Sequence, residues 1–256
     1  MSTAQGPHRA RLLAVLALPL LPLLMGAADH AVELSGSTGS YRFGSCQLSR
    51  SDYTEASVRY TVPVDDNFAF RVEGGGAVEK VSDNTTSRLP IAGDGTPAPT
   101  PPVPQQTVGW MRAQVLADIE WAGAGFGVVG YLGPKPRFMQ DTSLPVIPCA
   151  QLRLGPRQIH ARLDLLNGGL TGTAYQVMGL GLGFDLPLAD VLEPGLPHVE
   201  GMMGMEFVGQ SDYVTVGARL ALESFSLLFS GRFSPSDSAD RSVTMGLGIP
   251  LDSFTR

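Results

Sequence analysis

The chain is dominated by an alternation of apolar and polar side chains with a period of two residues. The segment 213–233, YVTVGARLALESFSLLFSGRF, shows the alternation on two successive arms. The first arm runs from Tyr213 to Leu222 and the second from Phe225 to Phe233, with a polar break at Glu223 and Ser224. Two alternating arms joined by a tight break predict a β-hairpin with one apolar and one polar face.

The same pattern recurs along the chain and predicts about twelve strands, cut by turn residues. The predicted connections alternate in length. The long or polar ones lie near 47–54, 82–106, 133–145, 168–172, 209–212 and 234–240. The short ones lie at 65–67, 122–124, 156–158 and 223–224, and 189–197 breaks the rule by being longer. Alternating lengths put one kind of connection at each end of an up-and-down meander, which is typical of bacterial membrane barrels with an even strand number.

The first 28 residues have the pattern of a signal peptide. His8, Arg9 and Arg11 precede an apolar run broken by prolines, and residues 26–28 are small, as a cleavage site requires. The mature chain is therefore expected to start at Asp29, with 29–256 forming one barrel domain that carries a long Pro/Gly/Thr-rich loop at 82–106. An uncleaved membrane anchor is the alternative. No later stretch has the length of apolar sequence that a second helical span needs.

Composition limits the class of protein further. Charged residues make up 16% of the chain and hydrophobic residues 43%, and the net charge of −6 argues against a nucleic-acid binder. The apolar parity carries almost no charge, whereas the other parity mixes arginines, carboxylates and glycines. This division predicts that the apolar side meets lipid and the charged side faces a lumen. A soluble secreted β domain, whose apolar faces pack together, is the alternative.

In these features the chain resembles bacterial outer-membrane β-barrel proteins, from about Ser35 to Phe254. The resemblance implies an all-β fold, an antiparallel up-and-down transmembrane barrel of ten to twelve strands, in the outer membrane of a Gram-negative bacterium. It also implies the lipid bilayer, small solutes and the outer-membrane assembly machinery as partners. The family commonly ends in a terminal aromatic that assists insertion, and this chain departs from that pattern because Phe254 lies two residues before its end.

The charged parity supplies the candidate functional residues. Rings of charge inside a barrel set solute preference, and an excess of arginine favours anionic solutes. These residues therefore predict a small porin-like channel for passive passage. If they pair with each other instead, the lumen is plugged and the barrel has a structural or surface-interaction role. The candidates are Arg42, Arg59, Arg71, Glu73, Arg112, Asp118, Glu120, Arg153, His160, Arg162, Asp164, Glu200, Glu206, Arg219 and Arg232.

Motifs for catalysis, metal binding or nucleotide binding are not found. The sequence has no GxSxG, P-loop, HExxH or CxxC pattern, so we expect no enzyme activity, no cofactor and no metal. An outer-membrane lipid-modifying enzyme is the weakest alternative, since outer-membrane phospholipases use a serine and a histidine on the lipid-facing side. Here His160 and His198 fall on the predicted lumen side. Cys46 and Cys149 can form one disulfide in an oxidising compartment. No feature predicts an oligomeric state.

Overall fold

A computed structural model describes residues 31–43, 49–84, 105–140, 143–156, 158–166, 175, 177–187, 198–208, 211–222 and 224–250. Twelve strands and a short 3₁₀ turn at Arg137–Met139 form within these ranges. The strands are β1 (Ala31–Phe43), β2 (Ser49–Pro63), β3 (Phe68–Asn84), β4 (Gln105–Ile119), β5 (Ala122–Leu132), β6 (Val146–Leu154), β7 (Ile159–Leu165), β8 (Met178–Pro187), β9 (His198–Val208), β10 (Ser211–Ala221), β11 (Ser226–Phe233) and β12 (Arg241–Pro250).

The sheet closes on itself as an antiparallel barrel. Each strand pairs with its neighbours in sequence, and β1 pairs with β12 in the register Ala31 to Pro250. Closure leaves no exposed sheet edge, because the first and last strands satisfy each other's backbone groups. The predicted up-and-down barrel of about twelve strands is therefore confirmed.

The outer surface is apolar and the interior is polar, which is the reverse of a water-soluble protein. On β8 and β9 the paired residues Leu182 and Met203 are each 54% exposed, whereas Glu206, on the opposite face of β9, is 1% exposed. Large apolar side chains are exposed in the same way on the other strands. An apolar band of this kind is unfavourable in water and suits the hydrocarbon of a bilayer. The fold therefore favours a membrane barrel over a soluble secreted β domain.

The barrel has two distinct ends. One, here called the short-turn end, carries the connections at 64–67, 120–121, 155–158, 188–197 and 222–225. The start of β1 and the end of β12 lie at the same end. The other, called the loop end, carries the connections at 44–48, 85–104, 133–145, 166–177, 209–210 and 234–240. Around the short-turn end the outer surface presents exposed aromatic side chains, including Phe68, Trp121 and Phe225. Aromatic girdles at this position are typical of membrane barrels.

Several predicted boundaries differ from the structure. The turn between β4 and β5 lies at Glu120 and Trp121, and Ala122 to Ala124, predicted as that turn, already belong to β5. The predicted loop 82–106 is shorter, since β3 extends to Asn84 and β4 begins at Gln105. The connection at 209–210 is also short, although it lies at the loop end. No helix among the described residues is long and apolar enough to span a membrane.

Three predictions lie outside the described residues. These are the signal peptide at 1–28, the partner thiol Cys46 and the near-terminal Phe254.

Candidate functional site

Paired charges occupy the middle of the barrel interior. Arg59, Glu73 and Arg112 lie side by side on β2, β3 and β4, because the register of these strands places them directly opposite one another. Nη1 of Arg112 donates to Oε2 of Glu73 at 2.8 Å, and Nη2 of Arg59 lies 3.3 Å from Oε1 of the same carboxylate. All three side chains are buried. One carboxylate therefore binds two guanidinium groups.

A second shared carboxylate connects strands that are not neighbours. Oε1 of Glu33 on β1 lies 3.3 Å from Nη1 of Arg59, and its Oε2 accepts from Nη2 of Arg219 on β10 at 2.8 Å. Arg219 also lies 3.6 Å from Glu200 on β9. Since β11 and β12 separate β10 from β1 in the sheet, the Arg219 to Glu33 contact crosses the interior. The barrel is narrow enough for side chains to bridge it.

Three further pairs of charged side chains lie in the interior. Arg162 binds Asp164 at 2.7 Å, and Arg232 lies 3.3 Å from Glu206 with both side chains buried. Arg153 binds Asp118 close to the short-turn end. Paired in this way, these arginines do not form a free ring of positive charge.

Aromatic side chains close the loop end of the interior. We call Tyr41, Tyr53, Phe138 and Tyr175 the aromatic plug. Tyr175, from the connection between β7 and β8, stacks on Tyr53 with ring centroids 4.1 Å apart, and Phe138 meets Tyr41 edge-on at 5.3 Å. Tyr41 also donates a hydrogen bond to buried Glu79 at 2.8 Å. Strands and loops thus contribute together to a packed, hydrogen-bonded closure.

The space between the plug and the paired charges is filled by large side chains. Trp110 on β4 is completely buried, and the guanidinium of Arg112 lies 5.2 Å from the centre of its ring. Gly75 makes room for this indole, since a Cβ there would lie 2.8 Å from Trp110 Cζ2. On the other side, Arg232 packs 4.9 Å from the ring of Tyr213. The described residues therefore fill the interior from its middle to the loop end.

At the short-turn end the interior opens into a cavity, here called the vestibule, of about 560 Å³. Its wall contains five arginines, two histidines and several acidic side chains. Most of these arginines are held by the carboxylates described above, whereas Arg71 is not. The basic residues are Arg59, Arg71, Arg153, His160, Arg162, His198 and Arg219. A polar cavity open at one end and closed at the other can hold a small solute without passing it through the barrel.

Most of the predicted lumen residues lie on the inward-facing parity. These are Arg59, Arg71, Glu73, Arg112, Asp118, Arg153, His160, Arg162, Asp164, Glu200, Glu206, Arg219 and Arg232.

Two predicted lumen residues lie elsewhere. Arg42 is on the opposite parity from the buried Tyr41 and pairs with Asp237 and Asp240 of the last connection at the loop end. Its assignment was wrong because Tyr41 and Phe43 were expected to face lipid, whereas the narrow interior takes them up. Glu120 lies in the exposed turn after β4, because that strand ends one residue before it.

The inward-facing Cys149 on β6 is a buried free thiol in this structure. Its predicted disulfide partner, Cys46, lies outside the described residues, so the disulfide stays a prediction. Within the described part of the chain, no group of three or more His, Cys, Asp or Glu side chains assembles that could hold a metal ion.

Several interior residues were not among the sequence-based candidates. Glu33 and Glu55 share the parity of Ser35, Ser57 and Arg59 on β1 and β2, so extending the alternation toward the start of each strand would have found them. Two other missed residues are Glu79 near the aromatic plug and Asp185 in the vestibule, whereas His198, also in the vestibule, was predicted on the lumen side. Tyr175 was not singled out: it lies beyond the predicted connection 168–172, on the parity of the inward-facing Gly179, but in the structure it belongs to the connection before β8. Burial raises the pKa of the Tyr175 phenol well above its ordinary value, so it is neutral.

No family model and no curated protein sequence matches the chain. Among solved structures, it is similar to the translocator domain of the autotransporter NalP from Neisseria meningitidis, with 11% identity, coverage of 95% of this chain and 96% of that one, and a TM-score of 0.41. The beta domain of the Bordetella autotransporter BrkA gives 10% identity, 88% and 100% coverage, and a TM-score of 0.45.

A mutant of the porin from Rh. blastica gives 8% identity, 87% and 100% coverage, and a TM-score of 0.31. At these identities and scores the likeness says nothing about function.

Proposed function

We propose that this chain is an outer-membrane β-barrel with a plugged lumen, which acts as a non-catalytic structural or surface-interaction protein. The observation that carries the proposal is the combination of the aromatic plug with the buried Glu73–Arg112 pair beneath it. These packed, buried side chains lie between the vestibule and the loop end, and among the described residues they support a lumen that is closed to hydrated solutes. In outer-membrane barrels the short turns face the periplasm, so the vestibule would open there and the longer loops would face outward.

Single-channel recording in a planar bilayer tests the proposal. The purified full chain is expected to insert without producing steady conductance steps, because the interior is filled by strand residues. Insertion is checked independently by protease protection of the reconstituted vesicles. Steady, reproducible steps from inserted wild-type protein would contradict a plugged lumen.

A porin-like channel is the second candidate, favoured by the arginine-lined vestibule and by the loop origin of part of the plug. Tyr175 and Phe138 both come from connections, so they are the plug residues that can withdraw without unpairing a strand. The variant Tyr175→Ala separates the two candidates. A fixed plug predicts that this variant is still silent, because the strand residues beneath it remain in place. Steady steps in Tyr175→Ala alone would favour a gated channel.

The non-catalytic part of the proposal has its own test. His160 faces the vestibule rather than the lipid, so it is poorly placed to reach a phospholipid ester. Purified protein in mixed phospholipid micelles is expected to release no fatty acid above the background of the His160→Ala variant. Hydrolysis by wild-type protein that disappears in His160→Ala would contradict this expectation.

A further inference from the structure

Arg71 differs from the other arginines of the barrel interior. It lies on β3, one inward position from Glu73, and lines the vestibule. Its Nε is buried without a hydrogen-bond partner, as in Arg59 and Arg219, but among the described residues the side chain of Arg71 also forms no other hydrogen bond and no ion pair. By contrast, Arg59, Arg162 and Arg219 each bind at least one carboxylate.

The carboxylates near Arg71 are already engaged. Glu73 binds Arg59 and Arg112, and Glu33 binds Arg59 and Arg219. Three guanidinium groups thus bind these two carboxylates, and one of them, Arg219, also lies 3.6 Å from Glu200. Arg71 is a fourth positive charge, and the protein supplies no close partner for it within the described ranges.

An uncompensated guanidinium inside a barrel that crosses hydrocarbon is unfavourable unless water or an anion solvates it. The cavity beside Arg71 has a volume of about 560 Å³, enough for a small organic molecule. The planar guanidinium presents paired N–H groups that match the two oxygens of a carboxylate or phosphate. The unpaired guanidinium and the available space are therefore in the same place.

We propose that the vestibule is a binding site for a small organic anion, and that Arg71 binds its carboxylate or phosphate group. The ligand would arrive from the short-turn end and leave by the same route. This goes beyond the proposed plugged barrel and rests on it only for the ligand's route, because an anion bound at Arg71 does not require a closed loop end. Conductance by the wild-type protein would thus contradict the plugged lumen but would not contradict the anion-binding site.

Thermal unfolding in a neutral detergent tests the site with citrate and inorganic phosphate as probes. Sodium chloride at equal ionic strength is the reference salt, so that general screening is subtracted. At least one probe is expected to raise the Tm of wild-type protein in a saturable manner, as ligand linkage requires. Arg71→Gln is expected to raise that probe's half-saturation concentration at least tenfold, because binding is weaker. The matched control is Arg241→Gln, which removes the same charge from the exposed side of β12 and should behave as wild type.

A merely structural role for Arg71 makes a different prediction. If Arg71 stabilised the fold, Arg71→Gln would lower the Tm in the reference salt, without either probe. If Arg71 is an unpaired ligand-binding residue, Arg71→Gln is expected to unfold at a higher temperature than wild type in the reference salt, because the substitution removes an unpaired charge. The proposal is overturned if neither probe gives a saturable shift in wild-type protein. It is also overturned if Arg71→Gln retains the shift undiminished.

Discussion

Nη1 of Arg112 lies 2.8 Å from Oε2 of Glu73, and the two side chains are 2% and 1% exposed inside the barrel. The pair joins two adjacent strands and, through Arg59 and Glu33, is linked to the strands beyond them. An ion pair this deeply buried is stable only when both partners are present, since either one alone is an uncompensated charge.

Loss of Glu73 is therefore expected to destabilise the barrel strongly. Replacing Glu73 by Gln leaves Arg112 and Arg59 without their shared carboxylate, at a cost of about 3–5 kcal/mol. Urea unfolding in lipid vesicles measures the change. The control is Asp52→Asn, because Asp52 is half exposed and lies 3.6 Å from Arg50, so its loss should cost less than about 1 kcal/mol. Equal effects of the two substitutions would show that the interior pair is not the stabilising feature.

The indole of Trp110 depends on the absence of a side chain at Gly75. A methyl group at Gly75 would lie 2.8 Å from the ring and 2.7 Å from the carbonyl oxygen of Ala56, so Gly75→Ala should cost about 1–3 kcal/mol. Gly231→Ala is the matched control, since its new Cβ would have its nearest neighbour 3.8 Å away. Unfolding midpoints compare the two variants. A Gly75→Ala protein as stable as Gly231→Ala would mean that the indole does not pack there.

The outer face of β8 gives a test that depends on lipid. Leu182 is exposed in the middle of the strand, so Leu182→Arg should cost about 2–4 kcal/mol in a bilayer, where the guanidinium would meet hydrocarbon. Val64→Arg, in the turn after β2, should cost at most about 1 kcal/mol because it lies near the interface. Both are measured by unfolding in vesicles. Similar small costs at the two positions are what a water-exposed surface would give, and would contradict the membrane placement.

The alternation of side chains carries much of this architecture, because a period of two fixes which face each residue takes once a strand is recognised. The hairpin 213–233, set among its neighbouring strands, predicts that Arg219 and Arg232 face inward, and both lie inside the barrel. The alternation does not say how wide the barrel is. The alternation therefore predicts that Tyr41 faces lipid and that Arg42 faces the lumen. In the structure the narrow interior has room for Tyr41, so Arg42 lies on the opposite face.

The pairing of the interior charges could not be predicted from the sequence. Glu33 and Arg219 are separated by 186 positions and meet only because the sheet closes and its strands are tilted. Whether the lumen was filled or wet was open for the same reason. Tyr175 comes from the connection before β8, so the alternation within the strands does not show that it stacks on Tyr53.

The two tryptophans of the chain test most directly whether the apolar outer surface lies in lipid. Trp121 is 64% exposed on the outer surface at the short-turn end, whereas Trp110 is completely buried in the interior. The measurement is quenching of tryptophan fluorescence in vesicles of brominated phosphatidylcholine, with wild-type protein compared with Trp121→Phe. We predict that brominated lipid quenches a component of the wild-type emission that is missing in Trp121→Phe, and that it leaves the Trp110 emission largely intact. Emission that brominated lipid does not change, but that aqueous iodide quenches through Trp121, would contradict the account.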